Sequence, residues 1–138
     1  MIYLCNSAEE TQQLAKKIAP DLKPGQVVAF FGEMAAGKTT FIRTLASEVA
    51  GVAPELINSP TFQYLNIYNG NLTVYHFDLY RMKDPEDFLS MGFDELLYGD
   101  GICCIEWAER IETILPKEAI TIRISHVAEM RRLIEMRR

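Results

Sequence analysis

Gly32-Glu33-Met34-Ala35-Ala36-Gly37-Lys38-Thr39 is the run in this 138-residue chain whose residue types and spacing most plainly suit chemistry. It matches G-x-x-x-x-G-K-[ST], the phosphate-binding P-loop pattern. Glycines let a backbone wrap tightly, so that successive N–H groups can point at phosphate oxygens. A helix starting at the end of the run offers its positive end to the same anion. Lys38 is then expected to neutralise the β- and γ-phosphates, and the Thr39 hydroxyl to coordinate Mg²⁺. The bland alternative is a glycine-containing turn with a surface lysine. The flanking sequence argues against it, because a buried apolar run precedes the motif and an amphipathic helix follows. The expectation is a nucleoside triphosphate site, and the absence of the guanine-reading N-K-x-D pattern favours ATP.

Magnesium needs a second anchor, normally an acid at the end of a neighbouring strand. Asp78 ends the run Val74-Tyr75-His76-Phe77, and Glu106 ends Ile102-Cys103-Cys104-Ile105. Either alone reads equally well as a solvated strand-end acid. Two such acids in a chain with a P-loop are candidates for metal binding and for activating water, and sequence does not assign the general base between them.

The elements that must position these residues are legible in outline. Ser7-Ala8-Glu9-Glu10 reads as a capping box, and Leu14, Ala15, Ile18 and Ala19 follow at helical spacing, predicting a helix over 8–19. Val27–Phe31 is a continuous apolar run, expected of a strand buried on both faces of a parallel sheet. After the P-loop, Phe41, Ile42, Leu45 and Val49 mark one side of a second helix. Residues 62–68 and 72–78 are β-rich, and Asn69-Gly70-Asn71 between them predicts a hairpin. Asp84-Pro85 opens a helical stretch that Gly92 interrupts before 93–98. Residues 102–105 form another buried strand, and 119–124 and 133–136 are expected to close the sheet. The predicted class is α/β, P-loop NTPase-like: a single domain over 1–138, with a mostly parallel central sheet flanked by helices and an inserted β-hairpin.

Composition narrows the function. Apolar residues are 49% and charged residues 24%, an ordinary globular mix, with no apolar run near the ~20 residues of a spanning helix. No signal-peptide pattern is visible at the N-terminus. Cys5, Cys103 and Cys104 are odd in number and lack C-x-x-C spacing, which argues against a disulfide framework or zinc site and suits a reducing cytoplasm. Net charge is −5, divided into −8 over residues 1–122 and +3 over 123–138. An acidic body disfavours direct, tight nucleic-acid binding. The arginines after 122 could touch a polyanion, but they read more readily as solvated charges flanking a last strand.

Four further motifs follow the P-loop in order: Ser59-Pro60-Thr61-Phe62, His76-Phe77-Asp78-Leu79-Tyr80-Arg81, Met91-Gly92-Phe93-Asp94-Glu95 and Ile105-Glu106-Trp107-Ala108-Glu109. In that order and spacing the chain resembles the bacterial TsaE (YjeE) family of small ATPases over nearly its whole length. The resemblance implies a part in forming N6-threonylcarbamoyladenosine at position 37 of tRNAs that read codons beginning with A. It implies not the transferase but an ATP-binding and -hydrolysing switch with Mg²⁺ that acts on two partners, TsaD and TsaB. It also implies roles for particular residues. Lys38 and the backbone of 33–40 (Glu33, Met34, Ala35, Ala36, Gly37, Lys38, Thr39, Thr40) hold the phosphates, and Thr39 and Glu106 take the metal. Asp78 orients or deprotonates the attacking water, and Ser59 and Thr61 lie in a switch segment near the γ-phosphate. Thr11 contacts the nucleotide from the first helix. Trp107, the sole tryptophan, divides evenly between core packing and signalling the nucleotide state, and His76 reads as structural.

The family pattern is G-E-L-G-A-G-K-T, and Met34-Ala35 departs from it. Where a positive φ is needed, alanine costs on the order of 1 kcal/mol, which would weaken but not abolish phosphate binding. The competing reading is a small-molecule kinase on the same P-loop, for which Arg81 and Arg110 are internal candidates but no lid-sized insert exists. A third is a nucleotide-gated binding module without hydrolysis.

Overall fold

The computed structural model describes residues 1–32, 37–60 and 62–138. Among these, seven strands form one sheet: β1 (Ile2–Cys5), β2 (Val27–Phe31), β3 (Leu65–Tyr68), β4 (Val74–Asp78), β5 (Ile102–Glu106), β6 (Ile120–Ala128) and β7 (Arg131–Arg137). Their spatial order is β1-β7-β6-β2-β5-β4-β3. The centre, β6-β2-β5-β4, is parallel, while β7, β1 and β3 join antiparallel at the margins. This is the α/β arrangement expected from the buried apolar runs, with β3 and β4 as the inserted hairpin.

Residues of β2 alternate between two cores. Val28 and Phe30 pack under helices α1 (Ala8–Ile18) and α2 (Lys38–Ala50), with Phe41, Ile42 and Leu45. Val27, Ala29 and Phe31 face the opposite layer, where α3 (Pro85–Ser90), α4 (Asp94–Leu97) and the 3₁₀ segment Ala108–Ile114 bring Phe88, Leu97 and Ile111. Phe77, Phe88 and Phe93 form a cluster there, with ring centroids 5.3–5.5 Å apart in tilted and edge-on geometry. A strand with helices on both faces has no solvent-facing side, which is why all five residues of β2 are buried.

Local chemistry sets the boundaries. Ser7 Oγ accepts from the Glu10 N–H at 3.1 Å, while the Glu10 carboxylate reaches past Ser7 to the Asn6 N–H at 3.0 Å, so the box closes one residue further out than expected. Asp84 caps α3, with Pro85 as its first residue. β3 starts at Leu65 rather than at 62, because Tyr64 adopts φ +66°, a left-handed conformation that no strand continues through. β6 and β7 extend past their expected ends to form a long hairpin, with an irregularity between His126 and Ala128. β1 was not expected at all; it adds to the sheet edge against β7, Ile2 opposite Glu135 and Cys5 opposite Arg132. No helix of the described residues is long and apolar enough to cross a membrane. The three cysteines are buried and free.

Candidate nucleotide and metal site

The buried strand β2 delivers Gly32 at its carboxyl end. Gly32 has φ +135°, and a Cβ there would drive into the Ile124 carbonyl oxygen, so the position takes only glycine. Gly37, at φ +95°, leads into the first turn of α2. The expected phosphate contacts Glu33, Met34, Ala35 and Ala36, and the expected switch residue Thr61, lie outside the described residues. Gly37, Lys38, Thr39 and Thr40 open α2 onto a cavity of about 510 Å³. Ser59, Asp78, Tyr80, Glu106, Trp107 and Arg132 complete its walls. A helix N-terminus at the carboxyl ends of parallel strands is where open α/β folds bind phosphorylated ligands.

The two acids come together by register. Asp78 and Glu106 are paired across β4 and β5, so both side chains leave the same face at the same level. Both are buried. Asp78 Oδ1 accepts from the Tyr80 N–H at 3.1 Å. Ser59 Oγ lies 2.7 Å from Asp78 Oδ2 and 3.1 Å from Glu106 Oε2, so one hydroxyl proton serves two carboxylates. His76 Nε2 lies 2.7 Å from the same Glu106 oxygen. The histidine therefore backs the site directly.

Lys38 is almost fully buried, and its ammonium donates to the Gly32 carbonyl at 2.8 Å. It also lies 4.1 Å from the centroid of the Trp107 ring. Burial pulls this ammonium below its ordinary value, and the carboxylates of Glu109, Glu106 and Asp78 oppose that shift. Trp107 adopts φ +58°, a left-handed conformation that costs a residue with a Cβ roughly 1–2 kcal/mol. The cost places the ring over Lys38, with Tyr80 packed against it in a tilted pair, 5.1 Å between centroids. Such strain is characteristic of working sites.

A smaller cavity of about 70 Å³ adjoins on the side away from the acids, lined by Ser7, Ala8, Thr11, Gly37, Thr40, Met130 and Arg132. It brings Thr11, buried on α1, alongside the start of α2. Arg132 walls both cavities, and among the described residues its buried Nε has no hydrogen-bond partner. Its sequence reading as a solvated charge is corrected here. A signal existed: Arg132 shares strand parity with Ile134 and Met136, both buried, and so faces inward. Tyr80, quoted only as part of a motif, is likewise a wall of the larger cavity. Arg81 and Arg110 are not among the lining residues of either cavity. Arg81 stacks 4.3 Å from the centroid of Phe62, and Arg110 donates to the Tyr80 carbonyl at 3.2 Å.

Among the described residues no cluster of three or more His, Cys, Asp or Glu could hold a metal by itself. What the cavity does offer is a hydroxyl (Thr39) and two adjacent carboxylates beside the N-terminus of α2. That set suits Mg²⁺, which keeps waters and binds through one or two carboxylates plus substrate phosphates.

Comparison with known proteins decides the family. The model of "Threonylcarbamoyl adenosine biosynthesis protein TsaE" matches residues 5–134. The chain belongs to the TsaE family. The tRNA threonylcarbamoyladenosine biosynthesis protein TsaE of Treponema pallidum is 42% identical over 134 residues, covering 97% of this chain and 98% of that one. The protein of the same name from Bacillus subtilis is 42% identical over 127 residues, covering 91% and 78%. The crystal structure of B. subtilis YdiB superposes with a TM-score of 0.81 at 36% identity, over 97% of this chain and 82% of that one. These relatives support the TsaE reading over a small-molecule kinase, in keeping with Arg81 and Arg110 lying outside the cavity walls.

Proposed function

We propose that this TsaE-family chain binds ATP with Mg²⁺ and hydrolyses it in the service of tRNA threonylcarbamoyladenosine formation in the cytoplasm, acting on a TsaD–TsaB complex. One observation carries the reading: the first turn of α2 and the Asp78–Glu106 pair face each other across a single cavity. The N–H groups opening α2 receive phosphate oxygens. Lys38 leaves the Gly32 carbonyl and the Trp107 ring to meet the β- and γ-phosphates. Thr39 and Glu106 hold Mg²⁺, which supplies charge neutralisation at the phosphates. Asp78, with Oδ1 fixed by the Tyr80 N–H, orients the attacking water or takes its proton. Arg132 and Thr11 border the side toward which the rest of the nucleotide extends.

Turnover by the chain alone is slow, and a partner completes the constellation around the acids and the lysine. RNA contact is left to the partners, consistent with the acidic body of residues 1–122. Phosphate release measured with ATP alone, with a panel of small acceptors, and with TsaD–TsaB tests this. Slow release stimulated by the two proteins is expected. Acceptor-dependent ADP formation, indifferent to those proteins, would replace the reading with a kinase.

A further inference from the structure

The two oxygens of Glu106 are not equivalent. Among the described residues Oε2 makes both hydrogen-bonding contacts of the carboxylate, to His76 Nε2 at 2.7 Å and Ser59 Oγ at 3.1 Å. Among the described residues no donor hydrogen-bonds Oε1. His76 is buried on β4, opposite Cys104, and so sits two residues behind Asp78 on the face that carries both acids. Its other nitrogen, Nδ1, is buried without a hydrogen-bond partner. A carboxylate accepts, so Nε2 carries a hydrogen toward Glu106 Oε2.

We infer that His76 is a positioning residue: its Nε2–H pins Oε2 of Glu106 and thereby presents Oε1 as the single oxygen offered to Mg²⁺. The inference rests on the nucleotide and metal reading above. An unheld carboxylate rotates about its last torsion and exchanges its two oxygens. A ring fixed between β-strands removes that freedom before the metal arrives. Ser59 cannot replace it, since its one proton is also claimed by Asp78 at the shorter distance of 2.7 Å. Carboxylates that ligate metals are commonly held by such outer partners, whose loss weakens metal binding without removing a ligand.

The test compares His76→Leu, which keeps bulk and loses the donor, with His76→Gln, which restores an N–H at similar reach. His76→Asn, whose amide is too short to donate to Oε2, is a second test should the leucine form not fold. Mn²⁺ serves as the probe, its affinity for the full chain measured by electron paramagnetic resonance in the presence of ADP, beside metal-free ADP affinity and thermal unfolding. The leucine and asparagine forms are expected to lose about 10–100-fold in Mn²⁺ affinity, with metal-free ADP affinity within about twofold of the parent and the glutamine form within about threefold for both. Equal losses for glutamine and leucine, or undiminished Mn²⁺ affinity in the leucine form, would overturn the inference. A parent protein that binds ADP but takes up no Mn²⁺ overturns it together with the metal role of Glu106. One that binds no ADP overturns the proposed function itself.

Discussion

Lys38 Nζ lies 4.1 Å from the centroid of the Trp107 ring, and the same ammonium donates to the Gly32 carbonyl at 2.8 Å. The lysine that should meet phosphates is thus held against the sole tryptophan, which stands next to the acid assigned to the metal. Nucleotide binding must exchange both contacts for phosphate oxygens. Trp107 emission should therefore change on adding ADP or ATP, and Lys38→Ala should show a shifted starting spectrum and no nucleotide response. An unchanged spectrum at saturating nucleotide would mean that Lys38 stays on the ring.

The pH dependence of binding follows from Lys38. Burial holds its ammonium below the ordinary value of 10.5 in the free protein, and bound phosphates favour the charged form. The complex then holds more protons than the free chain at alkaline pH, so nucleotide affinity falls as pH rises through the free-state value, by at most about tenfold per pH unit. Lys38→Arg, which stays charged, should flatten the profile. Calorimetry from neutral to alkaline pH checks this, and a profile that is flat in the parent would remove the lysine from phosphate binding.

The acids divide the labour. Asp78→Asn should lower the rate of phosphate release by about 10²–10⁴-fold while leaving Mg²⁺–nucleotide affinity within a few-fold. Glu106→Ala should weaken binding with Mg²⁺ more than binding without it. Steady-state kinetics beside titrations with and without EDTA separate the two, and equal losses with and without metal for Glu106→Ala would take it out of the metal shell.

Arg132 faces both cavities with a buried, unpartnered Nε. Arg132→Ala should weaken ADP binding by about 5–30-fold, the cost of losing a charged hydrogen bond of roughly 1–2 kcal/mol, with little change in thermal stability. Fluorescence titration and a melting curve measure both. A large loss of stability with affinity intact would make the residue a hairpin strut.

Gly32→Ala tests the backbone that holds the loop. The added Cβ meets the Ile124 carbonyl, so β2 or β6 must shift, and a loss of about 1–3 kcal/mol is expected in denaturant unfolding. A neutral result would mean that the close approach of these strands is not required.

Much of this was legible in the sequence because it is local. Five consecutive apolar residues at Val27–Phe31, bounded by Gly25 and Gly32, read as a doubly covered strand, and the glycine–lysine run after it has few other uses. Asp78 and Glu106 were visible as strand-end acids, although their side-by-side register depends on β4 and β5 pairing across some thirty residues of chain. Long-range pairing explains what was missed. β1 has four residues and among the described residues pairs with β7 alone, more than a hundred residues away, so nothing near Ile2–Cys5 announces it. The long β6–β7 hairpin carries polar residues toward its tip, which hid both its length and the inward turn of Arg132. Ser59 lay in a recognised motif, yet its hydrogen bonds to both acids depend on a fold that no spacing rule encodes.

The central claim is that the start of α2 and the Asp78–Glu106 pair form one Mg²⁺–nucleotide site. Calorimetric titration of ATP into the parent chain and Lys38→Ala, each with Mg²⁺ and with EDTA, tests it most directly. The account predicts binding that Mg²⁺ strengthens in the parent and that is lost in a still-folded Lys38→Ala. Unchanged ATP affinity in that variant, or affinity indifferent to Mg²⁺ in the parent, would contradict it.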